Sequence, residues 1–327
     1  MQVNLVTGNS MEYNYDPELQ QAIKLIPEFD FTDPAAVRCI MEDLMEGFNA
    51  EIDQSGITIC NRKIPGPDGA PEVPVRIYTP VTSSDNMAGL IYIHGGGFVV
   101  GSVDTEHARA VELCRDLGIV IVSVNYRLAP ENPFPAGLED CYATLCWMYE
   151  SATSLNVDVE RIGVNGGSAG GGLAAALALL TRDRRGPSLC FQSLAFPELD
   201  DRLKTYSMQA FTDTPVWNRG SAINSWRFYL GELYAPGEDN VPYLAAPARA
   251  TVDQLKELPP AYVSTMEFDP LRDEGIIYAM NLMQAGVNVE LHSYPGTFHG
   301  SGMLVKADVS RREYAELKLA LRRGLGI

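Results

Sequence analysis

The sequence contains little positive charge and no long hydrophobic run. It has 25 Lys and Arg residues against 42 Asp and Glu residues, which gives a formal net charge of −17. Nucleic acids and anionic membrane surfaces are bound through clustered Lys and Arg, so neither is expected as a partner. No apolar run approaches the roughly 18 residues that a membrane helix needs, and MQVNLVTGNSMEYNYDPELQ lacks the basic and apolar regions of a signal peptide. We therefore expect a cytoplasmic protein.

The sequence also lacks paired cysteines. No CxxC pair occurs and no histidine lies at zinc-ligand spacing, so a metal site is not expected. Most of the cysteines lie within apolar runs, which indicates buried free thiols in a reducing compartment. The six cysteines are Cys39, Cys60, Cys114, Cys141, Cys146 and Cys190.

Helical and strand patterns divide the chain. Residues 1–50 are acidic and helical in pattern, with Asp33 as an N-cap before Pro34, and we interpret them as an N-terminal helical cap segment. GITICNRKIP and VPVRIYTP then predict two short strands. From Gly89 onward, short runs that are apolar throughout alternate with helical patterns. This alternation predicts an α/β fold in residues 51–327, with a mostly parallel central sheet flanked by helices.

The alternation is interrupted at about residues 197–259. This stretch is irregular and rich in aromatic residues, among them Trp217 and Trp226. Insertions into α/β folds commonly cover the carboxyl end of the sheet, where ligands bind. We therefore expect a cap insertion at about 197–259.

The stretch VNGGSAGGGL, residues 164–173, has five glycines where a strand pattern gives way to a helical one. A phosphate-binding loop would need Lys followed by Ser or Thr, whereas Leu173 follows the last glycine. A dinucleotide fingerprint would begin inside the helix and would lack its acidic residue. The spacing Gly166-x-Ser168-x-Gly170 instead predicts a sharp strand-to-helix turn in which small neighbours permit a strained serine. Ser168 alone is also compatible with a simple helix cap.

A second glycine-rich motif, HGGGF, follows the strand pattern GLIYI. Glycines allow backbone N–H groups to approach a substrate closely, as an oxyanion hole requires. We expect the N–H groups of Gly96, Gly97 and Ala169 to form that hole.

The remaining partners of a nucleophilic serine are a base and a carboxylate. Among the four histidines of the chain, His299 follows the last strand pattern in a Gly-flanked loop, whereas His94, His107 and His292 have structural or remote contexts. Asp269, shortly after the strand pattern AYVSTM, is the expected carboxylate. Its rivals are two neighbouring acidic residues, Asp273 and Glu267.

Five motifs in this order resemble one protein family. HGGGF, YRLAPENPFPA, GGSAGGG, DPLRDE and PGTFHG are similar to the hormone-sensitive-lipase branch (bacterial family IV) of the α/β hydrolases, from about Ile64 onward. Two further runs, PELDDRLKTYSMQAFTDTPVW and STMEFDPLRDEG, resemble a bacterial member of that branch. Gly167 is a departure, because the family more often has Asp there. The resemblance implies an α/β-hydrolase fold with a helical cap and hydrolysis of small, acetyl-type esters.

These observations predict a serine carboxylesterase that hydrolyses short-chain acyl esters through Ser168, His299, Asp269 and an acyl-enzyme. This chemistry requires no cofactor, and its partner is a small-molecule ester. The alternatives are a non-catalytic small-molecule binder on the same fold and an amidase with the same triad. A homo-oligomer is compatible with the sequence, which leaves the natural substrate open.

Overall fold

The computed structural model describes residues 13–27, 29–82 and 86–327. Within these ranges eight strands form one sheet in the order β1-β2-β4-β3-β5-β6-β7-β8. The β1–β2 and β2–β4 pairs are antiparallel, and every other pair is parallel. The strands are β1 (Ile57–Ile64), β2 (Val73–Pro80), β3 (Met87–Ile93), β4 (Val120–Val124), β5 (Val157–Gly167), β6 (Phe191–Ala195), β7 (Ala261–Phe268) and β8 (Val289–Phe298).

Helices connect the parallel strands. The predicted α/β fold with a mostly parallel sheet is confirmed, since α3, α4, α6, α9 and α10 flank the sheet. The helices are α1 (Pro17–Ile23), α2 (Pro34–Asn49), α3 (His107–Leu117), α4 (Ala136–Glu150), α5 (Ala152–Leu155), α6 (Ala169–Arg184), α7 (Tyr206–Ala210), α8 (Arg219–Leu230), α9 (Arg272–Gln284) and α10 (Asp308–Leu325).

Both faces of the sheet are covered by apolar layers. On β3, Leu90 and Tyr92 point into a cluster with α3 and α10, whereas Ile91 and Ile93 point into the larger cluster with α4, α6 and α9. Successive side chains of a strand point to opposite faces, so a strand covered on both sides must be apolar throughout. This burial explains the continuous apolar runs of the sequence and holds the carboxyl ends of the strands at fixed positions.

The two predicted cap segments contain the expected helices. Asp33 caps α2, its side chain accepting a hydrogen bond from the Ala36 N–H with Pro34 at the first helical position. Residues 197–259 contain α7, α8 and two short 3₁₀ helices. The N-terminal segment packs against the main domain, where the Asp16 N–H donates to the Gly296 carbonyl at 2.8 Å. Residues 1–12 of the segment lie outside the described residues.

Two details differ from the sequence-based expectation. The last strand does not end at Tyr294 but continues to Phe298, which pairs with Phe268 after a shift in register, so that the strand directly precedes His299. The six thiols are free as expected, but Cys39 and Cys60 are exposed. Cys39 lies on the outer side of an amphipathic helix and Cys60 on an edge strand, so a locally apolar context does not bury either one.

None of the helices in the described ranges has the length and apolar character needed to cross a lipid bilayer.

Candidate active site

Ser168 occupies the sharp turn between β5 and α6. Its backbone has φ +57° and ψ −125°, a conformation that non-glycine residues seldom adopt. Holding a residue there costs roughly 1–3 kcal/mol, which the surrounding structure must offset. A Cβ atom at Gly166 would overlap the Gly170 carbonyl, and one at Gly170 would overlap the Ile93 carbonyl. The two glycines therefore allow the strand, the turn and the helix to approach closely enough for this strained turn to form.

Three side chains from separate strand ends meet at this turn. The Oγ atom of Ser168 lies 2.9 Å from Nε2 of His299, and Nδ1 of His299 lies 2.7 Å from Oδ2 of Asp269. The exposed fractions are 6% for Ser168, 4% for His299 and 0% for Asp269. The second oxygen of Asp269 accepts a hydrogen bond from the Leu271 N–H at 2.8 Å. Asp269 can therefore hold the imidazole with a proton on Nδ1, which leaves Nε2 free to accept a proton from Ser168.

The two rival carboxylates have other partners. Asp273 forms an ion pair with Arg272 and accepts a hydrogen bond from the Ser207 N–H at 2.7 Å. Glu267 accepts from the Gly296 N–H at 2.6 Å. Asp269 is the carboxylate that the structure places on His299.

The loop after β3 packs directly on the serine turn. Gly96 and Gly97 both have positive φ angles, +111° and +56°. A Cβ atom at Gly95 would lie 3.0 Å from the Gly167 carbonyl oxygen and 3.4 Å from Cβ of Ser168. Ala169, the third residue predicted for the oxyanion hole, begins α6 and is fully buried. The structure thus brings the glycine loop and the N-terminus of α6, with its positive dipole end, to one place beside Ser168.

His94 contacts the glycine loop and packs against Tyr126. Its ring stacks on Tyr126 with 4.2 Å between the ring centroids, and its Nδ1 lies 2.8 Å from the Gly95 carbonyl oxygen. Burial lowers the pKa of His94 to about 4, although the hydrogen bond to Gly95 acts in the opposite direction. The ring is therefore neutral at physiological pH and serves as a packing element of the loop.

The side chains of the other two histidines contact residues other than Ser168 and Asp269. His107 pairs with the Tyr78 hydroxyl at 3.0 Å, and His292 lies between Glu290 and Glu316.

Aromatic rings line the other side of His299. The ring centroid of Trp217 lies 5.7 Å from that of the imidazole, and the Phe196 ring lies 5.1 Å from it. Phe31, from the N-terminal segment, packs edge-on against Trp217 at 5.0 Å. Sequence reasoning included Trp217 among the aromatic residues of the insertion but did not identify Phe196 or Phe31. Only the position of Phe196 directly after a strand could have indicated its role.

Comparison with known proteins identifies the family of the chain. Residues 90–303 match a family described as having the alpha/beta hydrolase fold. The chain is 40% identical to the carboxylesterase NlhH of Mycobacterium tuberculosis (strain CDC 1551 / Oshkosh) over 261 residues, covering 78% of this chain and 81% of that protein. It is 34% identical to an ethyl acetate hydrolase of Pseudomonas putida over 232 residues, covering 69% and 70%.

A solved structure is similar over nearly the whole chain. This structure is of a bacterial heroin esterase, and it superimposes with a TM-score of 0.93 at 48% identity, covering 95% of this chain and 98% of that one. The names of these relatives confirm the prediction of a carboxylic ester hydrolase. The chain belongs to the α/β-hydrolase-fold family, in the hormone-sensitive-lipase-like branch that its motifs predicted.

Proposed function

We propose that this protein is a serine carboxylesterase that hydrolyses short-chain, acetyl-type esters through Ser168, His299 and Asp269. The observation that carries the proposal is the continuous chain of hydrogen bonds, 2.9 Å from Ser168 to His299 and 2.7 Å from His299 to Asp269. All three side chains are buried, so the pairs act where water screens them little.

The reaction follows from this geometry. Oγ of Ser168 attacks the ester carbonyl carbon while Nε2 of His299 takes the hydroxyl proton, and the carbonyl oxygen becomes an oxyanion. The N–H groups of Gly96, Gly97 and Ala169 bind that oxyanion. The tetrahedral intermediate collapses, the alcohol leaves with the proton from Nε2, and an acyl-enzyme remains. Water then attacks the acyl group in the same way, and the carboxylic acid is released.

The preference for short acyl groups rests on the aromatic side of the site. Trp217 and Phe196 lie within 5.7 Å of the imidazole, measured between ring centroids, and Phe31 supports Trp217. We also propose that residues 1–50 and about 197–259 form the cap over the carboxyl end of the sheet. Each added methylene gains roughly 0.8 kcal/mol where it fits, but rigid rings make longer chains costly. The similarity to an ethyl acetate hydrolase supports this preference.

A panel of p-nitrophenyl esters from acetate to palmitate tests the proposal. We expect kcat/KM to be highest for acyl chains of roughly two to six carbons and to fall steeply beyond them, with weak activity on emulsified triglycerides. Rates that increase up to laurate or palmitate would instead indicate a lipase.

Two further measurements distinguish the alternatives. A matched p-nitroanilide identifies an amidase if it is cleaved faster than the ester. Stoichiometric labelling by an organophosphate at Ser168, with no label elsewhere, distinguishes a serine enzyme from a non-catalytic binder.

A further inference from the structure

Glu198 is a buried acidic residue that the mechanism above does not use. It follows β6 and is 0% exposed. Its backbone N–H donates to the Ser168 carbonyl at 3.0 Å, so its own backbone is fixed to the serine turn. A carboxyl group at this depth requires a compensating arrangement of hydrogen bonds or charges.

The Ser225 hydroxyl, on α8, connects Glu198 to the glycine loop. Oγ of Ser225 lies 2.9 Å from the Gly97 carbonyl oxygen and 3.0 Å from Oε1 of Glu198. A hydroxyl group has one hydrogen, and an ionised carboxylate and a carbonyl are both acceptors. Both contacts can be full two-centre hydrogen bonds only if Glu198 carries a proton and donates it to Ser225, which then donates to Gly97.

The surroundings of Glu198 favour the protonated form. The titratable groups that interact with it electrostatically are acidic or phenolic: Asp269, Glu274, Tyr126 and Tyr229. Its second oxygen, Oε2, has no hydrogen-bond partner within the described part of the chain. Burial raises the pKa of Glu198 to about 8, and the charge of Asp269 acts in the same direction, whereas the Ser225 contact opposes the increase.

We propose that Glu198 is a positioning residue whose carboxylic acid donates to Ser225 and thereby holds the Gly97 carbonyl in place. The carbonyl and the N–H of Gly97 share one α-carbon, and glycine restricts rotation at that atom less than any other residue does. Fixing the carbonyl therefore helps to direct the N–H toward the oxyanion. The inference rests on the proposed function, because it assigns Gly97 to the oxyanion hole.

The direction in which kcat changes with pH follows from the number of hydrogens available for the two hydrogen bonds of Ser225. Below the pKa of Glu198 the proton is present and both hydrogen bonds form. As the pH rises through that pKa, the Ser225 hydrogen turns to the carboxylate and the Gly97 carbonyl loses its donor. We expect kcat to decrease roughly tenfold on the alkaline side, as for the loss of one hydrogen bond.

Three variants test the proposal with p-nitrophenyl acetate from about pH 6 to about pH 10, after subtraction of the enzyme-free rate. In Glu198→Gln the amide donates to Ser225 at every pH, so we expect wild-type kcat at neutral pH without the alkaline decrease. In Ser225→Ala we expect kcat roughly tenfold lower throughout, with KM within about twofold of wild type. Ser221→Ala removes a hydroxyl one turn earlier on α8 that donates to Oδ1 of Asn218 at 3.4 Å, and we expect it to keep the wild-type profile.

An infrared measurement provides a readout that does not depend on activity. The difference spectrum between wild type and Glu198→Gln at neutral pH is expected to contain the band of a protonated carboxyl group, which disappears at alkaline pH. Absence of the band overturns the proposal, and so does a wild-type kcat in Ser225→Ala. If no ester is hydrolysed by the wild-type protein, the proposed function fails, whereas the spectrum still determines the protonation of Glu198. If Glu198→Gln does not fold, the titration of the wild-type band and Ser225→Ala provide the test.

Discussion

The two sides of the active site are built in different ways. On the sheet side, Ser168, Asp269 and His299 directly follow the ends of β5, β7 and β8, and short stretches of chain fix each of them. On the opposite side, Trp217 and Phe31 come from segments far apart in sequence and are held by packing against each other. The comparison teaches that the proposed reacting groups depend on backbone geometry, whereas the walls of the site depend on long-range contacts.

Removal of the proposed nucleophile is expected to have the largest effect on the sheet side. Ser168→Ala should lower kcat by about 10⁴-fold or more, since no other group replaces the attacking oxygen. The measurement is kcat with p-nitrophenyl acetate, together with the melting temperature, which should stay close to that of wild type because the strained backbone is unchanged. Organophosphate labelling of another serine in the wild-type protein would contradict the assignment.

Two aspartates that are close in sequence provide a more specific test of the carboxylate on the sheet side. Asp269→Asn should lower kcat by about 10⁴-fold, because an amide can stabilise the wrong tautomer of His299. Asp273→Asn is the matched control, since Asp273 pairs with Arg272 and the Ser207 N–H instead of with the histidine. Steady-state kinetics of both variants decide between them, and a larger loss in Asp273→Asn would reverse the assignment.

The boundary between the two sides lies at Gly97. Gly97→Ala places a methyl group 2.5 Å from the Trp217 ring at a φ of +56°, so the loop must shift. We expect kcat/KM to fall by about 10²- to 10³-fold, as for the loss of one oxyanion donor. Gly118→Ala is the control, because Gly118 has a similar φ of +66° but, its chain neighbours aside, no atom of residues 13–27, 29–82 or 86–327 lies within 4 Å of the added Cβ. Equal losses in the two variants would indicate backbone strain alone.

The smallest effect is expected on the aromatic side. Trp217→Phe should change the activity on acetate less than about tenfold but increase the ratio of hexanoate to acetate activity several-fold, because the smaller ring leaves space beside His299. Trp147→Phe makes the same replacement on α4, where the ring is partly buried and packs against the main hydrophobic core. The chain-length profile from acetate to decanoate distinguishes the two. An unchanged chain-length profile in Trp217→Phe would show that the Trp217 ring does not determine the selectivity for acyl length.

The sequence carried most of the information about the sheet side. The GxSxG spacing predicts close backbone approaches, and the structure has them at Gly166 and Gly170. The position of Asp269 after a strand pattern distinguished it from Asp273, since only a residue at the strand end can reach a neighbouring strand's loop. The space beside Gly167 is also small, because a Cβ atom there would lie 3.3 Å from the Phe196 ring.

The sequence did not reveal the contacts that join distant segments. Phe31 lies far from Trp217 in the chain, and no periodic pattern indicates that the two rings meet. The Ser225 hydroxyl similarly lies 128 positions from Gly97 and 27 from Glu198. Such pairs are set by how the insertion packs on the main domain, and local propensity and spacing carry no signal for that packing.

The order of β5 and β8 along the chain has a consequence for biosynthesis. Strand β8 leads into His299 and accepts the hydrogen bond from Asp16, so it connects the beginning of the described chain to its last part. Ser168 is made 131 positions before His299, which at roughly 5–20 residues per second is about 7–26 s. For that interval the nascent chain holds Ser168 without the histidine proposed as its base. The hydrogen bond between Ser168 and His299 therefore forms only after β8 and His299 have been synthesised, and a ribosome stalled before β8 carries a chain without the proposed base.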